Sequence, residues 1–202
     1  MILYCTKKFL AELRLKKSEI AEAPAVSHPL DEWYAHLFFL YPRRKCAIFM
    51  HAGTKFCFFA YDRNREQLND IRGTFRQGLG RALFDEHYPG AVIKLFNGRL
   101  EDIQIGLARD RCVLGFINQR VQELKFMAEY YPRDRRVKEE GIAGLAMRRS
   151  PMLTEKPDLA IEQMQVVLSQ CAELQGVDIN SAGFKHDELE KFYKVLLAER
   201  NS

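Results

Sequence analysis

The sequence predicts a mixed fold of the α+β class: a mostly antiparallel sheet packed by helices, followed by a helical hairpin at the C-terminus. Three observations support this prediction. Three apolar segments with short polar connections occupy residues 35–61, as in an antiparallel meander. Apolar residues recur at spacings of three and four in residues 65–87 and 113–131, as in helices that bury one face. Two more stripes of this kind lie between residues 160 and 197.

The chain begins with a short apolar segment at residues 2–5, which we predict to be a strand. A helix from Lys7 to Leu15 follows, and Thr6 before it is a residue type that favours helix N-caps. Residues 18–29 contain two prolines and no sustained hydrophobic period, so we expect a connection over the surface.

The predicted meander consists of segments 35–41, 46–50 and 56–61, joined by Pro-Arg-Arg-Lys and His-Ala-Gly-Thr-Lys. The first segment is apolar on both of its alternating sets of residues. A strand of this kind is covered on both faces, so we expect it to be central and to lie between helices.

The remaining segments of the core alternate between helix and strand. Residues 65–87 form one helical stripe, which Gly73, Gly78 and Gly80 weaken. A short apolar piece at residues 92–96 ends at Asn97-Gly98, and residues 102–107 alternate as in another strand. A long helix then begins after Asp110 and ends before Pro132.

Composition divides the chain into three predicted parts. We predict an α+β core domain at residues 1–132, a basic linker or exposed loop at 133–150, and a helical hairpin at 151–202 that docks on the core. The net charge of +4 conceals an imbalance, since residues 1–150 hold 26 Lys and Arg against 18 Asp and Glu, and residues 151–202 hold 5 against 9. The basic part could meet an anionic partner, or pack against the acidic tail.

The sequence excludes several common classes of protein. It contains no apolar stretch long enough to span a membrane and no signal peptide, so we expect a cytoplasmic location. The five cysteines form no CxxC pair, the five histidines are scattered, and no P-loop, HExxH or GxSxG motif is present. We therefore predict no cofactor, metal site or catalytic residues, and the sequence does not indicate an oligomeric state.

The segment from Asp110 to Asn118 is the most suggestive candidate for a ligand site. Arg111 stands at a helix start, where free amide groups and the helix dipole favour anions. We consider a ligand or anion site formed by Trp33, His36, Arg44, Arg111 and Asn118. The alternative is structural: Arg111 pairs with a carboxylate and Gly115 allows close packing.

Two basic segments are candidates for contacts with nucleic acid. Their residues are Arg43, Arg44 and Lys45 at a hairpin tip, and Arg133, Arg135, Arg136, Arg148 and Arg149 in the predicted linker. Basic groups beside aromatic residues can hold phosphates and stacked bases. Polar turns and interleaved acidic residues are the structural alternative.

Three segments carry a resemblance to a known family: MILYCTKKFLAEL, DEWYAHLFFLYPRRKCAIFMHAGTKF and IGLARDRCVLGFINQRVQELKF. In their order and spacing over about residues 1–131, they resemble an uncharacterised bacterial domain of unknown function that also occurs on phage and plasmid-like elements. The resemblance implies a bacterial or phage origin and a compact α+β fold. It implies no catalytic residues.

Three hypotheses for function follow from the sequence. The leading one is a non-enzymatic binding or regulatory protein whose basic surface contacts nucleic acid or an acidic protein. The second is a small enzyme that holds an anionic substrate with Arg111 and uses His36 or His51 as acid or base. The third is a phage-type inhibitor that binds a host protein through its C-terminal helices, where Phe192, Tyr193 and Leu196 would be exposed.

Overall fold

The computed structural model describes residues 1–22, 28–40, 44–61, 65–100, 102–130, 159–171 and 174–179. Its strands are β1 (Ile2–Cys5), β2 (Ile20–Ala21), β3 (Glu32–Leu40), β4 (Arg44–His51), β5 (Cys57–Ala60) and β6 (Gln104–Leu107). Its helices are α1 (Lys7–Leu13), α2 (Arg65–Asn69), α3 (Ile71–Asp85), α4 (Gly90–Arg99), α5 (Arg111–Tyr130) and α6 (Ala160–Ser169), with a 3₁₀ turn at Lys17–Glu19.

The strands form one mixed sheet in the order β2-β6-β1-β3-β4-β5. The β3-β4-β5 half is antiparallel, which confirms the predicted meander. In the other half, β2, β6, β1 and β3 run parallel to their neighbours. Parallel strands need a crossover connection, and α1 lies between β1 and β3 along the chain. The mixed fold of helices around a sheet is thus as predicted, with a larger parallel part than the sequence indicated.

Helices cover both faces of the sheet. Trp33, Ala35 and Leu37 on β3 join a core cluster that includes residues from α1 to α4 and α6. The alternate residues Tyr34 and Phe38 face the other way and pack in a second cluster with α5. The central, doubly covered position predicted for this strand is therefore confirmed.

The C-terminal part of the chain is described in its first predicted helix. Ile161, Met164 and Leu168 of α6 belong to the main core cluster, so this helix packs on the sheet with α1 to α4. The second predicted helix, at residues 189–197, lies outside the described residues, as does the predicted linker at 133–150. The division into three parts remains a prediction.

Two local expectations need correction. Residues 92–96, expected as a short strand-like apolar piece that ends at Asn97-Gly98, lie within α4. Val92 and Phe96 are one helical turn apart and are both buried, so they form one face of this helix. The single helix expected over residues 65–87 is two helices that meet at Asp70. The Asp70 carboxylate accepts a hydrogen bond from the Gly73 amide at 2.9 Å, and so caps the start of α3.

Candidate functional site

The end of β1 meets the middle of β3 at a pair of polar side chains, Thr6 and His36. The register pairs Cys5 with Ala35, and the Thr6 amide donates to the Ala35 carbonyl at 3.0 Å. The Thr6 hydroxyl oxygen lies 3.2 Å from Nδ1 of His36, within hydrogen-bonding distance. Within the described parts of the chain, Nε2 of His36 has no hydrogen-bond partner. One ring nitrogen is thus held by the contact with Thr6, and the other forms no hydrogen bond with the residues described.

The charges of two lysines act on this histidine. Burial lowers the pKa of His36, and the positive charges of Lys8 on α1 and Lys125 on α5 lower it further. Both lysines are exposed, and neither forms an ion pair with any residue that the structure describes. We call Thr6, Lys8, His36 and Lys125 the basic edge.

An exposed aromatic ring lies beside the basic edge. Because β1 ends opposite Ala35, the last residues of β3 extend beyond it. Phe39 in this extension is 38% exposed, and the Lys8 ammonium lies 4.5 Å from the centre of its ring. Phe39 points to the face of β3 opposite to His36, since their positions are three apart on the strand.

A second polar group, which we call the tyrosine cluster, consists of Tyr4, Glu32, Tyr34, Lys55 and Asp110. The rings of Tyr4 and Tyr34 are 5.1 Å apart, and the Tyr34 hydroxyl donates to Glu32 at 3.4 Å. Burial, with the nearby charges of Glu32 and Asp110, raises the pKa of Tyr34. Burial lowers the pKa of Lys55, and the nearby acidic groups oppose this effect.

An exposed arginine stands next to the tyrosine cluster. Burial raises the pKa of Tyr4, Glu32 raises it further, and the positive charge of Arg109 opposes both effects. Arg109 forms no ion pair with the residues described here. Tyr4 on β1 and Thr6, which directly follows β1, are two positions apart in extended backbone and point to the same face, so Arg109 is a further cation on the face that carries Thr6.

The five residues considered for a ligand site do not share one cleft. Trp33 is 0% exposed, and its indole N–H donates to the Leu30 carbonyl at 2.9 Å on the main core side of the sheet. His36 lies on the other face, while Arg111 and Asn118 are exposed on α5. Arg44 lies 5.9 Å from the Tyr61 ring on the meander.

The anion site considered at the start of α5 contains a carboxylate of the chain itself. Oδ1 of Asp110 accepts hydrogen bonds from the amides of Cys112 at 2.7 Å and Val113 at 3.3 Å. These are the amides that would otherwise face an anion at this helix end.

The residues considered for nucleic-acid contact are only partly described. Lys45 forms an ion pair with Glu12, and Arg44 lies beside Tyr61. The other members lie outside the described residues: Arg43, Arg133, Arg135, Arg136, Arg148 and Arg149.

His51, considered as an acid or base, is a structural residue of the core. Its Nε2 donates to the Pro29 carbonyl at 2.7 Å, and Nδ1 accepts from the Thr54 amide at 3.1 Å. Burial lowers its pKa to about 4, with Lys55 adding to this effect and the Pro29 hydrogen bond and Asp31 opposing it. The ring packs against Trp33, on the opposite face from His36.

The sequence did not single out Lys8, Lys125 or Thr6 as site residues. A usable signal was present, because Thr6 directly follows a strand and begins a helix, and such positions face ligands in parallel sheets. That rule applies to parallel strands, so a sheet that was expected to be mostly antiparallel did not indicate a site at Thr6. The sequence contains no comparable signal for Lys125, because its place near His36 depends on how α5 crosses the sheet.

Neither a metal-binding cluster nor a membrane-spanning helix is present among the described residues. The described part of the chain contains no group of three or more His, Cys, Asp or Glu residues placed to hold a metal ion. Among the helices that the structure describes, none combines the length and apolarity needed to cross a bilayer.

Comparison with protein families gives a match over residues 2–158. The matching family is described as a domain of unknown function, DUF6933. A comparison with curated proteins gives no match.

Proposed function

The chain belongs to this family of unknown function, and we propose that it is a binding protein that contacts nucleic-acid phosphates through the basic edge. The observation that supports the proposal is a pair of exposed lysines, Lys8 and Lys125, whose charges act on His36 and which form no ion pair with the residues that the structure describes. Lysines that have no carboxylate partner among the described residues are candidates to neutralise phosphates.

The chemistry of the basic edge suits an anion. A phosphate near His36 would be attracted by both lysines, and its charge would favour protonation of the imidazole. His36 would then donate from Nε2, because Nδ1 is already in contact with the Thr6 hydroxyl. The affinity of such a site rises as the pH falls through the pKa of His36.

The position of the basic edge in the fold also supports the proposal. β6, β1 and β3 are parallel neighbours, so the ends of β1 and β6 lie at the same edge of the sheet, beside the middle of β3. Ligands in sheets of this kind bind outside the carboxyl ends of the strands. Thr6 and Arg109 both follow such strand ends.

The test is binding of fluorescein-labelled oligonucleotides, followed by fluorescence anisotropy over a range of salt concentrations. We expect affinity to fall steeply with salt, and the double variant Lys8→Ala/Lys125→Ala to reduce the slope of log affinity against log salt by about two. The matched control is Lys17→Ala/Lys94→Ala, which removes two exposed lysines from other elements and should leave the slope nearly unchanged.

Two outcomes would overturn the proposal. One is the absence of binding to any nucleic acid at low salt. The other is binding of polyglutamate, in place of oligonucleotides, with the same dependence on Lys8 and Lys125, which would point to an acidic protein as the partner.

The two other hypotheses from the sequence gain no specific support. His51 is buried on the face of the sheet opposite to His36, and the helix start beside Arg111 is capped by the Asp110 carboxylate, which takes the place of the anion that the enzyme hypothesis needs. Phe192, Tyr193 and Leu196, considered for an inhibitor, lie outside the described residues. A bacterial or phage origin and a cytoplasmic location stay predictions.

A further inference from the structure

A cleft of about 620 Å³ lies between the β2 and β6 end of the sheet and the junction of α2 and α3. This volume is in the range of pockets that hold small ligands. Its apolar lining includes Ile71, Ile103 and Ile105 of the main core cluster, and Leu15, which packs against that cluster. The cleft therefore lies on the core face of the sheet, opposite to the face that carries His36.

Charged side chains of both signs line this cleft without pairing with each other. Glu19, Asp70 and Asp102 supply carboxylates, and Arg72 supplies a guanidinium group. All four residues are exposed, and none forms an ion pair with any residue that the structure describes. One cleft thus offers partners for a negative group and for a positive group, beside an apolar surface.

Two of the charged groups are held in place by the backbone. Nη2 of Arg72 donates to the Ile103 carbonyl at 3.1 Å, and Oδ1 of Asp70 accepts from the Gly73 amide at 2.9 Å. The guanidinium keeps donors on its other nitrogens, and the carboxylate keeps its second oxygen. Asp102 directly precedes Ile103, so a further carboxylate belongs to the strand end that Arg72 contacts. Groups that are already ordered lose less entropy when a ligand binds.

We propose that this cleft binds a zwitterionic small molecule, an α-amino acid with an apolar side chain. Arg72 contacts the carboxylate of the ligand, Asp70 and Asp102 contact its ammonium group, and the apolar lining receives its side chain. A single carbon separates the two charges of an α-amino acid, which suits opposite charges carried at neighbouring positions of one cleft. A ligand with only one of these charges leaves part of the cleft without a partner, and charge-assisted hydrogen bonds are the stronger ones. The inference does not depend on the proposed function, because the cleft and the basic edge lie on opposite faces of the sheet.

The experiment is an NMR titration of the ¹⁵N-labelled protein with three compounds that share a phenyl ring. L-Phenylalanine carries both charges, phenethylamine only the positive one, and 3-phenylpropionate only the negative one. We expect L-phenylalanine to cause saturable shifts at the amides of Ile71, Ile103 and Ile105. The other two compounds should bind at least about tenfold more weakly, since each lacks one charge-assisted contact.

Conservative variants test the two kinds of charge separately. Arg72→Gln should weaken binding of L-phenylalanine about tenfold and leave phenethylamine nearly unchanged. Its matched control is Arg76→Gln, which changes an exposed arginine one turn further along α3 and outside the lining of the cleft. Asp70→Asn/Asp102→Asn should weaken both amines and leave 3-phenylpropionate nearly unchanged, and asparagine still caps α3. Thermal unfolding reports whether each variant is folded.

Four results would overturn the inference. The first is the absence of saturable shifts with L-phenylalanine, and the second is shifts at Thr6 and His36 in place of the cleft. The third is equal binding of the three compounds, which would indicate an apolar pocket that does not recognise charge. The fourth is an equal effect of Arg72→Gln and Arg76→Gln in variants that are folded. None of these results bears on the binding of nucleic acid by the basic edge.

Discussion

The Thr6 hydroxyl and Nδ1 of His36 lie 3.2 Å apart, and this contact joins the end of β1 to the middle of β3. It orients the imidazole, because Nδ1 faces the hydroxyl while Nε2, which is bonded to the same ring carbon, points in a different direction. The protonation state of His36 therefore reports on the charges around the basic edge.

We expect His36 to titrate below the ordinary histidine pKa, because burial and the charges of Lys8 and Lys125 disfavour the imidazolium ion. The double variant Lys8→Met/Lys125→Met should raise the pKa of His36, since it removes two positive charges and keeps similar side-chain volume. NMR titration of the imidazole measures this directly, with Lys17→Met as the control. An unchanged pKa in the double variant would contradict the arrangement of the basic edge.

His51 should make stability depend on pH. Its pKa is about 4 in the folded protein, below the ordinary value of 6.5, so the unfolded chain takes up the proton first as the pH falls. The stabilising effect of the neutral ring is complete above the unfolded pKa and is lost as the pH falls from 6.5 to about 4. The loss amounts to about 3 kcal/mol of unfolding free energy.

Urea unfolding at several pH values tests this effect. The variant His51→Gln should be less stable than the parent at neutral pH, because the amide cannot reproduce both hydrogen bonds of the ring. It should also lose less stability on acidification. If the unfolding free energies of the parent and the variant depended equally on pH, His51 would not be the group that causes the loss of stability in acid.

Local patterns were sufficient to predict much of the fold. Alternation and short polar turns located β3, β4 and β5, and apolar spacing located α3 and α5. The parallel half of the sheet was not predicted, because β1 and β6 have four residues each and β2 has two. Strands that short carry no signal for their partner or direction, which depend on where the intervening helices pack.

The candidate site was predicted less well for a related reason. His36 was considered because of its residue type, and Trp33 because aromatic side chains often bind ligands. The alternation that buries Trp33 also places His36 on the other face, and the pattern alone did not say which of the two side chains would be fully buried. Lys8 and Lys125 are far apart in the sequence, and only the packing of α1 and α5 brings both near His36.

Gly78 and Gly80 should respond in opposite ways to alanine. A Cβ at Gly78 would lie 2.6 Å from Cε2 of Phe58, whose ring is stacked 5.0 Å from Phe49 in the core. Gly78→Ala should therefore cost about 1–3 kcal/mol through overpacking. Gly80 lies in the same helix with nothing near its Cβ position, and Gly80→Ala should stabilise by up to about 1 kcal/mol.

Chemical denaturation of the two glycine variants gives the comparison. Because both changes raise helix propensity equally, the difference between them isolates the contact with Phe58. Equal stabilisation by the two alanines would mean that α3 does not pack on the Phe58 ring as the structure describes.

The ion pair between Arg99 and Asp31 should contribute more stability than the pair between Arg81 and Asp85. The Arg99 guanidinium lies 3.1 Å from Asp31, and the two side chains are 19% and 11% exposed. Arg99→Leu leaves the Asp31 carboxylate largely buried without this partner, which should cost about 2 kcal/mol. Arg81 is more exposed and lies 3.7 Å from Asp85, so Arg81→Leu should cost less than about 0.5 kcal/mol.

Urea unfolding at neutral pH, in low and high salt, measures both variants. We expect salt to reduce only the small effect of Arg81→Leu, because solvent screens exposed charges more than buried ones. Equal losses for the two variants would indicate that Asp31 is hydrated in the folded protein and does not need Arg99.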